Sequence, residues 1–226
     1  MTRKLSPRLL RCCSYISAGA RVADVGCDHG YLGIHLLSSG KASFIYAGDI
    51  HPEPLQCAIS NAEKYGVSEQ MAFFLSDGLR SFPRDFDTLI CAGMGADTII
   101  SVLEGAPWLS GEKYRLILQC QSKTHCLRKY LSEHGWHIEK ESVVKDGRFL
   151  YTVMSVQYRP TAPLSPGQQY FSPALYKDIS QEMPAYYRQV LSRLQLSVTG
   201  QKDKADPVAA AALKELENNP PKEVTV

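Results

Sequence analysis

Five short apolar runs, the first four closing on or near an acid or a glycine, constrain this 226-residue chain more than any other feature. They are "RVADVG" (21–26), "FIYAGDI" (44–50), "MAFFLSDGL" (71–79), "FDTLICAGMG" (86–95) and "YRLILQCQ" (114–121). Helical patterns lie among them. "YLGIHLLSSG" (31–40) ends in glycine, "PEPLQCAISNAEKYG" (52–66) opens on proline and ends in glycine, and a third helix runs through Ile99, Ile100 and Leu103. Proline at a helix start and glycine past its end are the usual stop signals. A strand that is apolar throughout must be covered on both faces, so strand and helix in alternation predict an α/β fold with a parallel sheet between helical layers.

The pattern changes after the fifth run. A helix "THCLRKYLSEHGW" (124–136) leads into "HIEKESVVKDGRFLYTVMSVQY" (137–158), two β-rich runs broken at Asp146-Gly147, which reads as a hairpin. Five parallel strands closed by an antiparallel hairpin resemble the Rossmann-like sheet of class I methyltransferases, and dinucleotide dehydrogenases usually lack that hairpin. A first helix precedes the sheet: Ser6 can cap it, Pro7 suits its first turn, and Leu5, Leu9, Cys13 and Ile16 share a face opposite Arg3, Lys4, Arg8 and Arg11. "RPTAPLSPG" (159–167) is a proline-rich boundary, and the chain beyond it has helical patterns and no strand signal. Leu175, Ile179, Met183, Tyr187, Val190 and Leu194 mark one apolar stripe that Pro184 should kink or divide, and Asp206-Pro207 opens a last helix to about Glu217, before a frayed end "NNPPKEVTV". The expectation is two units, a sheet domain over 1–160 and a small helical C-terminal domain over 161–226.

A net charge of +2 neither demands nor excludes nucleic acid, because clustering counts for more than the sum. Seven cysteines without a C-x-x-C pair suggest buried free thiols in a reducing compartment, and no metal site is expected. The N-terminal segment is broken by arginines and lacks a secretory apolar core, and no run approaches the roughly 18–20 apolar residues of a membrane span. The expectation is a cytoplasmic protein.

In such a sheet a ligand binds beyond the C-terminal strand ends. The marked residues fall there: Asp24, Gly26, Cys27, Asp28, His29 and Gly30 at the first strand, Asp49 and Ile50 at the second, Asp77-Gly78 at the third, and Gly93-Met94-Gly95 at the fourth. Gly26 permits a tight turn and close approach, and the helix opening near Gly30 offers free amides. Asp49 lies 23 residues beyond Gly26, the separation at which an acid reaches a ribose diol. Asp77 suits the amine of an adenine, because a carboxylate only accepts. An acid-lined loop repels a pyrophosphate and attracts the sulfonium and ammonium charges of S-adenosylmethionine, so Asp28 favours a methyl donor over NAD. Singly, an aspartate after a strand is often a cap or turn former, His29 a structural histidine and Met94 pocket wall.

Block by block, the chain resembles the bacterial tRNA (adenine-22-N1)-methyltransferase family. The blocks are "LSPRLLRCCSYI", "ADVGCDHGYLGIHLL", "AGDI", "AISNAEKYGV", "SDGL", "CAGMGADTI" and "LRKYLSEHGWHI", over about 5–158, with a looser likeness through "YFSPAL" into the helical tail. The resemblance implies methyl transfer from S-adenosylmethionine, with S-adenosylhomocysteine as product, to N1 of an adenine in the tRNA D-arm. It further implies cofactor contacts from Asp24, Gly26, Cys27, Asp28, His29, Asp49, Ile50, Asp77, Gly78, Gly93 and Met94, and catalytic roles for Asp28, His29 and Tyr31. A pocket built for one adenine cannot select a whole tRNA, so phosphate contacts are expected from the helical tail (Arg188, Arg193), the basic N-terminal helix (Arg3, Lys4, Arg8, Arg11) and the hairpin (Lys145, Arg148). The family pattern G-M-G-G is met here by Gly93-Met94-Gly95-Ala96, and Q-P-N by Gln119-Cys120-Gln121. Gln121 reaches one methylene further than asparagine. The alternatives that stay open are methylation of another RNA site or a small molecule, and a silent module that binds S-adenosylmethionine and RNA. The oligomeric state is open, with a monomer slightly preferred.

Overall fold

The computed structural model describes residues 4–111, 113–200 and 206–222, so Arg3 and the last four residues of the expected frayed end lie outside the described residues. Seven strands among them form one sheet: β1 (Ala20–Val25), β2 (Ala42–Asp49), β3 (Met71–Leu75), β4 (Thr88–Met94), β5 (Arg115–Cys120), β6 (Trp136–Asp146) and β7 (Phe149–Tyr158). Their order is β3-β2-β1-β4-β5-β7-β6. β1 to β5 run parallel, and β7 pairs antiparallel with both β5 and β6. The strand order reverses between β1 and β4, which leaves a crevice at their C-terminal ends.

Helices cover both faces, as the continuous apolar strands require. α1 (Pro7–Ser14), α2 (Tyr31–Ser38) and α3 (Pro52–Lys64) pack over Val22, Ile45, Ile90 and Ile117. α4 (Ala96–Glu104) and α5 (Thr124–Glu133) pack over Ala23, Leu89, Leu116 and Leu118. Alternate residues of each central strand thus feed opposite cores, the period-two geometry of a strand. Ser6 sits at the N-cap of α1 but makes no capping bond, and its buried hydroxyl has no partner; Pro7 supplies the start signal instead. Of the cysteines, Cys12, Cys13, Cys27, Cys91 and Cys120 are buried thiols, Cys126 is half-buried and Cys57 is exposed. Among the described residues no helix is long and apolar enough to cross a membrane.

A third core joins the tail to the outer strand: Val143 of β6 packs with Phe171, Leu175, Met183, Tyr187, Val190 and Leu194, and with Ala212 and Leu216 of α8 (Pro207–Asn218). The tail begins with α6 (Pro166–Tyr170) and continues, through a segment with a single 3-10 turn (Leu175–Lys177), into α7 (Met183–Gly200). Here the apolar stripe predicted from sequence is shorter than expected. Ile179 is 94% exposed, because residues 178–182 are not helical. Asp178 holds them out: its Oδ2 accepts the Val143 backbone N–H at 2.8 Å and the Ser180 hydroxyl at 2.7 Å, and its Oδ1 accepts the Ser180 N–H at 3.1 Å. Pro184 therefore neither kinks nor divides a helix. It occupies the first turn of α7, where a missing N–H leaves nothing unsatisfied.

The strongest polar tie between tail and sheet is buried. Arg128 of α5 and Glu141 of β6 form an ion pair at 2.7 Å with both side chains essentially inaccessible. Arg128 Nη1 also donates to the carbonyls of Gln169 (3.1 Å) and Tyr170 (2.7 Å), while the Ser172 hydroxyl donates to Glu141 at 2.6 Å. Removing one member leaves the other buried and uncompensated, which costs far more than the pair contributes net. Arg128→Met should therefore lower the unfolding free energy by about 3–5 kcal/mol in urea titration. The double variant Arg128→Met/Glu141→Gln should recover part of that loss.

Candidate active site

The loop after β1 turns back on itself through three left-handed residues, Gly26 (φ 72°), Asp28 (φ 52°) and Gly30 (φ 72°). Glycine enters this region freely, and aspartate is among the few other residues that tolerate it. The loop is bolted to the neighbouring strand: Gly26 and Cys27 both donate their N–H groups to the Gly48 carbonyl, at 2.8 and 2.9 Å. Asp49 completes the join. Its Oδ2 accepts the Asp28 N–H at 3.1 Å and its Oδ1 the His51 N–H at 3.0 Å. At Gly26 a Cβ would collide with the terminal methyl of Met94, so the close approach that demands glycine is to a side chain from β4, across the switch point.

Two cavities meet at Gly26. The first, of about 410 Å3, is lined by Gly26, Asp49, Ile50, Asp77, Gly78 and Met94, with α4 forming its far side through Thr98, Ser101 and Val102. The second, of about 300 Å3, is lined by Asp24, Gly26, Cys27, Asp28, His29, Tyr31 and Gly93, together with Arg8 and Gln121. The structure thus places every sequence-predicted site residue around one pair of adjoining cavities. Asp28 is largely exposed and its Oδ1 lies 3.6 Å from His29 Nε2. Asp77 faces solvent in an ion pair with Arg80 at 3.2 Å, and Ile50 presents an exposed apolar side chain beside it. Among the described residues no cluster of three or more His, Cys, Asp or Glu side chains could hold a metal ion.

Asp24 is the anomaly. It is buried at the end of β1, and its Oδ2 has no hydrogen-bond partner. Burial, and secondarily the charge on Asp49, push its carboxyl up to about 7. A buried acceptor without a donor, beside a second carboxylate and opening on a cavity, is a place for the cationic or N–H group of a ligand.

Sequence reasoning missed two groups. The α4 wall carries no motif, since Thr98, Ser101 and Val102 are ordinary helix residues. Arg8, expected as a phosphate contact on the basic side of α1, instead turns inward: its Nη1 donates to Gln119 at 2.9 Å and its Nε to Asp146 at 3.1 Å, and its side chain lines the second cavity. The signal was available: Arg8 follows Leu5 by three positions and precedes Cys12 by four, which places it on the inward face.

A family model described as a methyltransferase domain matches residues 5–154. The tRNA (adenine(22)-N(1))-methyltransferase of Bacillus subtilis is 34% identical over 153 residues, 67% of this chain and 64% of that protein. The chain spans less than two thirds of the length of the curated relatives it matches. The crystal structure of the Bacillus subtilis m1A22 tRNA methyltransferase TrmK superposes with a TM-score of 0.79 at 29% identity, covering 95% of each chain. That of Streptococcus pneumoniae Sp1610 in complex with S-adenosyl-L-methionine superposes with a TM-score of 0.81 at 28% identity, covering 93% of this chain and 97% of the other.

The raised Asp24 carboxyl has a consequence for stability. Between about pH 4, where the unfolded chain titrates, and about pH 7, the folded state holds the proton more tightly, so stability falls as pH rises through that window. A shift of this size corresponds to a loss on the order of 4 kcal/mol. Denaturant titrations from pH 4 to 8 should show that decline in the wild type and a flattened profile in Asp24→Asn. Parallel profiles would remove Asp24 as the titrating group.

Proposed function

We propose that this chain, which belongs to the methyltransferase-domain family, transfers a methyl group from S-adenosylmethionine to N1 of adenine 22 in the D-arm of tRNA. The observation that carries the reading is the paired cavity with its acid-lined loop, set in a fold whose matched relatives are named for that activity. The site residues fit the cofactor. Asp24 offers a buried unpaired oxygen to a cationic or N–H group, Asp49 offers a carboxylate at the strand end to a ribose, and Asp77 with Ile50 offers an acceptor and an apolar surface to an adenine. When bound, S-adenosylmethionine supplies an electrophilic methyl group on a sulfonium.

The chain's own residues supply position and field. Adenine N1 carries an in-plane lone pair and no proton, so no general base is required there, and orientation can provide much of the rate. The base becomes cationic on methylation. Asp28, held in a left-handed turn and tied through its N–H to Asp49, places a carboxylate where that charge develops, with His29 and Tyr31 as neighbouring walls. A base stacked in folded RNA must be extruded to enter the second cavity. Selection of a whole tRNA needs phosphate contacts outside that cavity. Exposed Lys145 and Arg148 at the hairpin, and Arg188 and Arg193 on α7, are suited to them, with 161–226 as the recognition unit. A tRNA substrate also places the protein in the cytoplasm.

The test is methylation of a tRNA transcript by the purified protein, read by primer extension, which stops at N1-methyladenine. A stop at position 22 that depends on the cofactor is expected, and its absence with a folded protein would exclude the reading. Asp28→Asn keeps the tolerance for a left-handed turn and removes the charge. It should lower turnover at least about tenfold, with a melting temperature close to that of the wild type. Asp49→Ala should weaken cofactor binding by about 1–3 kcal/mol in calorimetry.

A further inference from the structure

The second cavity has opposite charges on its two sides. Asp24 at the end of β1 and Asp28 in the loop after it lie on one side, whereas Arg8 reaches in from α1 over the ends of β4 and β5. Its side chain is three-quarters shielded and its guanidinium is fixed in orientation. Nε is held by Asp146, and Nη1 by the Oε1 of Gln119, a fully buried side chain whose same oxygen accepts the Gly93 N–H at 3.0 Å. Both donors to Oε1 are unambiguous, so the amide of Gln119 is oriented and so is the arginine. Nη2 has no protein partner among the described residues, and the side chain lines the cavity.

We infer that Arg8 binds the phosphodiester flanking the target adenosine through its free Nη2 edge and is thereby a substrate-positioning contact within the reaction chamber. The inference rests on the function proposed above and adds a residue to it. An extruded nucleotide presents two chemically distinct parts, a base that turns cationic and a phosphate that is already anionic. The acids at the end of β1 and in the loop after it suit the first, and the arginine over β4 and β5 suits the second. A guanidinium against the base would oppose the developing positive charge, which excludes the reverse placement on electrostatic grounds. A planar fork already held on two of its edges loses little freedom on gripping a phosphate with the third, and lysine cannot reproduce it.

The test compares the wild type, Arg8→Gln and Arg8→Lys on a tRNA transcript, and on transcripts with one uncharged methylphosphonate either 5′ or 3′ of the target adenosine. A 2′-deoxy sugar before the linkage, matched in a charged control, prevents strand cleavage. Both variants leave Gln119 Oε1 paired with the Gly93 N–H, so melting temperature and cofactor affinity should stay near wild type. Arg8→Gln should raise KM for tRNA about tenfold or more, and Arg8→Lys should recover only part of it. The wild type should lose a similar factor on one of the two methylphosphonate RNAs, and Arg8→Gln should lose nothing further on that RNA, because the contact is already gone. Unchanged KM in Arg8→Gln, indifference of the wild type to both substitutions, or losses that multiply would overturn the inference. Dissociation constants for the same RNAs, measured by fluorescence anisotropy, read the contact without turnover. A wild type that binds as expected but does not methylate would sink the proposed function and leave the contact standing.

Discussion

The carboxylate of Asp49 is the point on which the site depends. By taking the N–H groups of Asp28 and His51, it joins the loop after β1 to the loop after β2 and sets the left-handed turn that carries Asp28. The same charge raises the cost of ionising Asp24, buried nearby. Three carboxylates are thus gathered at the sheet's switch point, and among the described residues no cation of the chain is paired to Asp24 or Asp49. Such an arrangement is unfavourable for the protein alone and favourable for a protein that holds a cation there, which is the electrostatic logic of a binding site that costs stability in the free state.

The helical tail depends on a different buried charge. Arg128 and Glu141 close an ion pair in the interior, and their other bonds go to the backbone of residues 169–170 and the hydroxyls of Ser172 and Tyr186. The tail therefore supplies part of the solvation of a charge in the sheet layer. The hairpin continues this connection toward the site: Val143 of β6 feeds the tail's core and bonds Asp178, while Asp146 at the tip of the same strand holds Arg8. One strand thus touches the helical tail and holds a side chain that lines the second cavity.

Much of the fold was legible because its signals are local. Continuous apolar runs, proline starts and glycine stops located the sheet and its helices, and Asp146-Gly147 marked the hairpin. The spacing of Asp49 from Gly26 and the acids at successive strand ends placed the crevice. The features that escaped depend on partners distant in sequence. Arg128 looks like a solvated helix residue until Glu141 and the carbonyls of the tail are seen around it. Arg8 looks like one of several surface bases until Gln119 and Asp146 claim it. Ile179 fits a helical stripe, and only the bonds of Asp178 to β6 and Ser180 show why the helix begins later. The left-handed turn at Asp28 is likewise invisible in sequence, since aspartate populates that region only when its surroundings hold it there.

If the acids at the switch point exist to hold a cationic methyl donor, affinity must follow their ionisation. Calorimetry from pH 5 to 7 can compare S-adenosylmethionine with 5′-methylthioadenosine, which lacks the sulfonium and the ammonium. Because Asp24 must ionise to receive the cation, S-adenosylmethionine should bind at least about tenfold more tightly as pH rises toward the titration near 7, while the uncharged ligand stays level. Two profiles that run parallel across that range would contradict this role for the acids.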